Sequence, residues 1–320
     1  MEKCIIRAAN LSKKYNTGFA VRSLNMSVKK GEIYGLIGQN GAGKTTLFRI
    51  LMGLVHPTSG EIELWGKNDE ASLMQARKRM GSIIEMPSFY LQMTAKENLE
   101  LVRLKRGIPG KDCIMRCLKE VDLEDVADKK VCQFSLGMKQ RLGIAMALLS
   151  EPEILVLDEP VNGLDPIGIV QIRELFKRIN RESGVTILIS SHILSEIYQT
   201  ATCYGIMKKG VLIEELTAEE LNKKNRKCLE IIVDDVSKAT TVIDREMKTC
   251  NYEVLPGNRI HLFDHVDQSG LVNSKLNKNM ITVESITPIG EDLEDYFIKI
   301  AGGDRSVCTA QSSDLQAVSK

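Results

Sequence analysis

Residues 38–46 read GQNGAGKTT and follow a short β-prone run, EIYGLI, at residues 32–37. After this loop, apolar residues recur at helical spacing: Leu47, Ile50, Leu51 and Leu54. A glycine-rich loop between a strand and a helix can bind phosphate, because the helix start presents free backbone N–H groups and the positive end of its dipole. The strand, loop and helix together therefore predict an α/β core with a phosphate-binding site.

The loop fits the pattern G-x-x-x-x-G-K-[ST] from Gly38 to Thr45. In that pattern the backbone amides surround the β-phosphate, Lys44 reaches the β- and γ-phosphates, and Thr45 binds Mg²⁺. The alternative is a glycine-rich turn with a surface lysine, which the flanking strand and helix disfavour. The residues predicted to contact the nucleotide are Gly38, Gln39, Asn40, Gly41, Ala42, Gly43, Lys44, Thr45 and Thr46.

The run ILVLDEP at residues 154–160 is an apolar strand that ends in two carboxylates and a proline. Asp158 is placed to hold Mg²⁺ through water, and Glu159 to orient or deprotonate an attacking water molecule. By itself the run could be an acidic turn after a buried strand. Beside a phosphate loop it favours hydrolysis, which needs a carboxylate near the metal and a base.

Three further segments bear on the class of nucleotide-binding protein. FSLGMKQR (134–141) predicts a helix that begins at Ser135. The free N–H groups at its N-terminus form a second predicted anion-binding site. Because one phosphate loop already covers one γ-phosphate, this second site is predicted to face the nucleotide of another subunit. NGLDP (162–166) is a turn just after the carboxylates, with Asp165 available at the interface between the two subunits. His192, directly after an apolar strand, can bridge the γ-phosphate and the attacking water. Singly, each segment could be a capped helix, a turn or a polar strand end.

The rest of the chain suggests two domains. The runs at 153–158 and 185–190 are typical of central strands in a parallel sheet, and VQIRELFKRINRESG predicts a helix between them. Residues 88–150 predict a helical insert that includes a Thr94–Glu97 capping box. We expect a core domain over 1–220, a ferredoxin-like βαββαβ domain over 222–300 with EDLEDYFIKIA as its last helix, and a loose tail over 301–320.

Composition excludes several functions. The chain of 320 residues has 43 basic and 42 acidic residues, a net charge of +1, which gives no general attraction for nucleic acid. Its 8 cysteines include no Cys-x-x-Cys pair and fit reduced thiols. The N-terminus lacks the apolar core of a signal peptide, and no run is long enough for a membrane helix. We expect a soluble chain that acts at a membrane only through a partner.

Over roughly residues 3–215, these motifs together resemble the ATPase subunits of ATP-binding cassette (ABC) transporters. The resemblance implies the following roles: a Walker A loop at residues 38–46, a signature motif at residues 135–140 with Ser135, Gly137 and Gln140, a Walker B carboxylate at Asp158, a catalytic glutamate at Glu159, a D-loop residue at Asp165, a switch histidine at His192, and an adenine-stacking aromatic at Tyr15.

Two departures from the common pattern are informative. The signature has Ser-Leu-Gly-Met in place of Ser-Gly-Gly-Gln, and Glu85 stands where the family usually has a glutamine that contacts Mg²⁺. Together with LDEPVNGLDPIGI, these features resemble the bacitracin and lantibiotic export and immunity subgroup. The resemblance implies ATP and Mg²⁺ as cofactors, a separate transmembrane permease, a second cassette giving a homodimer, and a location at the cytoplasmic face of the membrane.

Two other classes remain as alternatives. A soluble ABC protein acting on ribosomes or DNA is the first, but ribosome-acting members generally carry two cassettes and chromosome-handling members a long coiled coil. A small-molecule kinase is the second, and it would not need a signature helix. A neighbouring gene with about six membrane spans would support the exporter.

Overall fold

The computed structural model describes residues 3–225 and 227–289. The chain divides into two compact units between Ala218 and Glu219. The predicted last helix, EDLEDYFIKIA, and the predicted tail at 301–320 lie outside the described residues.

The strands of the first unit are β1 (Cys4–Tyr15), β2 (Gly18–Lys29), β3 (Ile33–Ile37), β4 (Ser59–Leu64), β5 (Met80–Ile83), β6 (Ile154–Leu157), β7 (Thr186–Ser191), β8 (Cys203–Lys208) and β9 (Val211–Thr217). Its helices are α1 (Lys44–Leu51), α2 (Glu70–Arg77), α3 (Ala95–Arg106), α4 (Asp112–Glu120), α5 (Leu136–Leu148), α6 (Pro166–Ser183) and α7 (Leu194–Tyr198). Helix α8 (Ala218–Asn225) begins at the boundary between the units.

The central sheet has the strand order β5-β6-β7-β3-β8-β9, in which only the β8–β9 pair is antiparallel. Every residue of β3, β6 and β7 is buried, as the continuous apolar sequences of β6 and β7 predict for strands covered on both faces. These neighbouring strands end immediately before Gly38, Asp158 and His192. Because parallel strands share one carboxyl edge, three segments distant in sequence meet there.

A second sheet, of order β2-β1-β4, is antiparallel and packs its apolar residues into the same core. The β1–β2 hairpin pairs Tyr15 with Gly18. Two residues after Gly18, the Ala20 carbonyl lies against the phosphate loop at Gly43, where an added Cβ would come within 2.1 Å of its oxygen. The hairpin therefore brings β2 against this loop, and Tyr15 lies at the turn of the hairpin.

Two predicted helix boundaries were wrong. The α1 helix ends at Leu51, because Gly53 adopts a left-handed φ of 74°, and Leu54 is 65% exposed beyond it. The α6 helix begins at Pro166 rather than near residue 170. Asp165 caps it by accepting a bond from the Gly168 N–H at 3.2 Å, and proline is well suited to the first helical position.

The predicted helical insert contains α3, α4 and α5, joined by 3₁₀ turns at Glu124–Val126 and Val131–Gln133. The capping box is present: Thr94 Oγ1 accepts from the Glu97 N–H at 3.1 Å, and Glu97 accepts from the Thr94 N–H at 2.7 Å. The buried amide of Asn98 bonds both the N–H and the C=O of Tyr90. That amide fixes the segment joining β5 to the insert.

The second unit contains β10 (Cys228–Val233), α9 (Val236–Val242), β11 (Tyr252–Leu255), β12 (Arg259–Leu262), α10 (Ser269–Lys278) and β13 (Val283–Ile289). Helix α9 continues as a π-helical segment at Ile243–Met247. The sheet order is β11-β12-β10-β13, with every pair antiparallel. Its core is formed by alternating strand residues such as Leu229 and Ile231 against Val272 and Leu276 of α10.

Candidate active site

The phosphate loop adopts a backbone that only glycine allows at two positions. Gly43 has a φ of 106°, and a side chain there would also collide with the Ala20 carbonyl. At Gly38 an added Cβ would lie 2.5 Å from the Met207 carbonyl oxygen. Gly43 precedes α1 without a side-chain cap, so the first N–H groups of α1 are oriented to receive an anion.

Lys44 is 5% exposed and bonded on several sides. Its ammonium donates to the Gly38 carbonyl at 2.6 Å and to the Gln39 carbonyl at 3.4 Å, and lies 3.0 Å from Glu159 Oε1. A lysine taken out of water in this way needs such partners, since an unpaired buried charge is costly. The loop therefore holds a desolvated positive charge at the place where a triphosphate would bind.

Asp158 is 6% exposed and uses both of its oxygens. Oδ2 accepts from Thr45 Oγ1 at 2.7 Å, and Oδ1 accepts from Ser190 Oγ at 2.6 Å. The described residues contain no group of three or more His, Cys, Asp or Glu side chains that could hold a metal alone. A carboxylate beside a threonine hydroxyl fits Mg²⁺, which is usually bound through one or two carboxylates and the substrate phosphates.

Glu159 links the lysine to the histidine. Its Oε1 faces Lys44, and its Oε2 lies 2.7 Å from His192 Nδ1. The residue has a φ of 49°, an uncommon value for a side chain other than glycine, and its N–H donates to Ser190 Oγ at 2.9 Å. A carboxylate held between a cation and an imidazole is well placed to accept a proton from water and pass it on.

Ser190 is the site residue that the sequence reasoning missed. It is fully buried at the end of β7, where it donates to Asp158 and accepts from the Glu159 backbone. The signal was the pair of serines in ISSH, since polar residues at the carboxyl end of an apolar strand reach the site edge.

We expect Ser190→Ala to slow ATP hydrolysis about tenfold while changing ATP affinity less. The substitution leaves Asp158 and the Glu159 N–H each without one bond, worth about 1–2 kcal/mol in all, whereas the phosphate loop is untouched. Steady-state ATPase rates and equilibrium nucleotide binding measure the two effects. Ser183→Ala, at the exposed end of α6, is the control. Equal turnover in the unmodified chain, Ser190→Ala and Ser183→Ala would show that Ser190 does not support hydrolysis.

The predicted signature and D-loop residues lie elsewhere. Ser135 caps α5 by accepting from the Met138 N–H at 3.3 Å, and Asp165 caps α6. Both line one groove together with Gly137, and no residue of the phosphate loop lines it. Gln140 is half-buried on α5 outside that groove. Within one chain, therefore, the structure does not bring these residues to Lys44.

Tyr15 and Glu85 are also apart from the carboxylate cluster. Tyr15 is 40% exposed, with the Lys13 ammonium 5.2 Å from its ring centroid. Glu85 has a φ of 64° and pairs through Oε1 with Arg49 of α1. Arg49 is its hydrogen-bond partner among the described residues, while Thr45 and Asp158 bond each other, so the predicted metal role of Glu85 stays a prediction.

This fold has a phosphate loop after β3 and two carboxylates after β6, at the same edge of a parallel sheet, and it is that of a P-loop ATPase. The profile of the family described as ABC transporter matches residues 21–162. A solved dimeric ATP-binding cassette bound to ADP and Pi, in a post-hydrolysis state, has 27% sequence identity and a TM-score of 0.60 over 67% of this chain and 99% of its own.

Similarity to curated proteins extends over nearly the whole chain. The bacitracin transport ATP-binding protein BcrA of Bacillus licheniformis is 46% identical over 93% of this chain and 98% of its own length. The Enterococcus faecalis BcrA is 42% identical over 93% and 97%. The lantibiotic transport ATP-binding protein SrtF of Streptococcus pyogenes is 45% identical over 66% and 90%. The chain belongs to the ABC transporter family, as one of its ATP-binding subunits.

These comparisons confirm the predicted resemblance and activity: the protein is an ATPase subunit that hydrolyses ATP to drive transport through a separate permease. They do not favour the soluble alternative acting on another macromolecule. No helix within residues 3–225 or 227–289 has the length and apolar character needed to span a bilayer.

Proposed function

We propose that two copies of this chain close head-to-tail around two ATP molecules, and that this closure drives the permease. The observation that carries the proposal is that Ser135 and Asp165 line a groove without phosphate-loop residues. The α5 start at Ser135 and Gly137 is thus left for an anion that the same chain does not hold, while the α6 start is already capped by the Asp165 carboxylate. A second copy, turned head-to-tail, would bring its own phosphate loop to this groove.

In this dimer each ATP site has two sides. One chain supplies the loop residues 38–46, with Lys44 on the phosphates, Thr45 and Asp158 toward Mg²⁺, and Tyr15 against adenine. The other chain supplies Ser135, Gly137, Gln140 and Asp165. Bound Mg²⁺ would neutralise phosphate charge, while Glu159 accepts the proton of the attacking water and His192 holds Glu159 in place.

We also propose that Glu85 contacts Mg²⁺ through its Oε2 atom. Arg49 engages Oε1, so Oε2 can turn to a metal while the guanidinium offsets the additional negative charge that glutamate brings in place of glutamine. Because Arg49 lies on α1, directly after the phosphate loop, this pair ties Glu85 to the helix that carries Lys44.

The proposed cargo is a peptide antibiotic of the bacitracin or lantibiotic kind, and the proposed biological role is resistance or immunity. The support is the identity with BcrA and SrtF, whose names state bacitracin and lantibiotic transport. An ATPase fed by cellular ATP and acting through a permease would lie at the cytoplasmic face of the membrane.

We also propose that residues 1–220 form the cassette and that residues 222–300 form a ferredoxin-like accessory domain. The order βαββαβ and the antiparallel sheet β11-β12-β10-β13 support the second assignment.

The permease is proposed to dock on the segment between β5 and α3. Met86, Tyr90 and Leu91 are 80%, 65% and 48% exposed there, and Asn98 fixes Tyr90 from below. Phe89 is half-buried and contributes less surface. Adjacent exposed apolar side chains commonly mark a protein interface.

Detergent pull-down of the tagged chain from its host tests this function. We expect a polytopic membrane protein to co-purify, and Tyr90→Ser to reduce its yield severalfold with ATP affinity unchanged, because Tyr90 lies on the docking segment and not in the site. Leu54→Ser, at an equally exposed apolar residue beyond the end of α1, is the control. Recovery of a soluble macromolecule in place of a membrane protein would refute the proposal.

A further inference from the structure

We propose that Arg141 and Asp122 are positioning residues that lock the start of α5 to the start of α6. Through this lock, Ser135 and Asp165 would approach the partner's nucleotide as one rigid surface. The inference rests on the head-to-tail dimer proposed above and adds to it the residues that keep the trans-acting surface in shape.

Arg141 is the centre of the lock. Its side chain is 14% exposed, and it bonds three groups: the Val121 carbonyl at 3.0 Å, Asp122 Oδ2 at 2.8 Å and Gln171 Oε1 at 2.9 Å. The first two lie just after α4, and Gln171 lies on α6. One guanidinium thus joins three helical segments, which its planar array of donors permits and a lysine would not.

Asp122 extends the lock to a second arginine. Its Oδ1 accepts from Arg178 of α6 at 3.1 Å, and Arg178 also donates to the Glu120 carbonyl. Asp122 has a φ of 56°, so the turn after α4 is bent to place this carboxylate between the two guanidinium groups. The order Arg141–Asp122–Arg178 crosses from the helical insert to the core.

At the starts of α5 and α6, the contact between the two helices is made by leucines. A Cβ added at Gly137 would lie 3.9 Å from Leu164 Cδ2, and one at Gly163 would lie 3.4 Å from Leu136 Cδ2. The leucine of each helix start therefore covers the glycine of the other. Apolar contact near Ser135 and Asp165, with the ionic contacts farther along, prevents α5 from rotating against α6.

Positioning is a better account of these contacts than stability. Asp122 is 53% exposed, and ion pairs with so much exposure contribute little to folding. Arg141 follows Ser135 by six residues, about 9 Å along the helix at 1.5 Å per residue. A small tilt at Arg141 therefore displaces Ser135, and a displacement of about 1 Å can lower a rate by up to about a hundredfold.

Mixed dimers test the lock, because they separate the two chains of one ATP site. The subunits carry different tags, and one of them carries Glu159→Gln so that only the site using the other chain's phosphate loop hydrolyses ATP. Arg141→Met is then placed either in the Glu159→Gln chain, whose signature helix completes the active site, or in the other chain.

We expect at least about a tenfold loss of ATPase rate in the first placement and less than about twofold in the second. Arg181→Met, one turn after Arg178 on α6 and paired with its neighbour Glu182, should change neither. Thermal unfolding and ATP binding by the monomer are measured for each variant. If Arg141→Met fails to fold, Arg141→Lys replaces it in both placements, since it keeps the charge and loses the three-way bonding.

Equal losses in the two placements would show that Arg141 only stabilises the fold, and no loss in either would show that the lock is dispensable. Whether the head-to-tail dimer forms at all is tested separately, from the dependence of ATPase activity on subunit concentration. A mixed protein with the wild-type Arg141 whose activity is independent of subunit concentration would refute the proposed function before the lock is tested.

Discussion

Lys44→Ala is expected to abolish measurable ATP binding. The ammonium is the buried cation of the phosphate loop, held at the start of α1 by the Gly38 carbonyl and by Glu159. Loss of charge-assisted bonds to two phosphates, at about 1.5–3 kcal/mol each, weakens binding by a factor of a hundred or more. The variant also leaves Glu159 without its cation, and this negative charge adds repulsion toward the triphosphate.

Equilibrium titration with a fluorescent ATP analogue measures the loss. Lys67→Ala removes an exposed lysine from the turn after β4 and should bind ATP normally. Thermal unfolding without nucleotide shows whether the Lys44 variant keeps its fold, and ATP should no longer raise its melting temperature. Unchanged ATP affinity in a folded Lys44→Ala protein would refute the phosphate-loop role.

Glu159→Gln is expected to bind ATP but to hydrolyse it about a hundredfold to ten-thousandfold more slowly, the usual contribution of a general base. The amide has the shape of the carboxylate and can still contact His192, but it cannot take a proton from water. The substitution also removes the ion pair between Lys44 and residue 159, so Lys44 becomes more available to phosphate. The variant should therefore accumulate as an ATP-bound dimer.

Size-exclusion chromatography with ATP, combined with a phosphate-release assay, measures both effects. Glu174→Gln, an exposed carboxylate of α6 paired with Lys177, should remain monomeric and active like the unmodified chain. Near-normal turnover in Glu159→Gln would assign the base to another group. A slow variant that never dimerises with ATP would argue against head-to-tail closure.

The Lys44–Glu159 ion pair bears on the proposed mechanism. Lys44 and Glu159 neutralise each other while both are largely out of water. Binding of a triphosphate would draw Lys44 to the phosphates and leave Glu159 with His192, as a base needs.

Local patterns in the sequence were enough to predict the elements of the site. Glycine spacing, the lysine and the flanking strand and helix predicted the loop, because only glycine tolerates the φ of 106° and the close carbonyl at position 43. Continuous apolar runs predicted β6 and β7 as central strands, the β-prone run before the loop predicted β3 as a strand, and the carboxylates at the end of β6 followed directly. The capping box at Thr94 was equally local, since it needs only four consecutive residues.

The contacts between side chains were decided by the tertiary structure. Ser190 meets Asp158 only because β6 and β7 are neighbours, and Arg49 meets Glu85 across 36 residues. Arg141 joins Asp122 and Gln171 from three separate helical segments. By itself, the sequence determined which residue types stand at which strand and helix ends, because backbone geometry and hydrophobic period act over a few residues. The order of the strands and the packing of the helices decided which of those ends meet, because burial of apolar surface joins segments regardless of their distance along the chain.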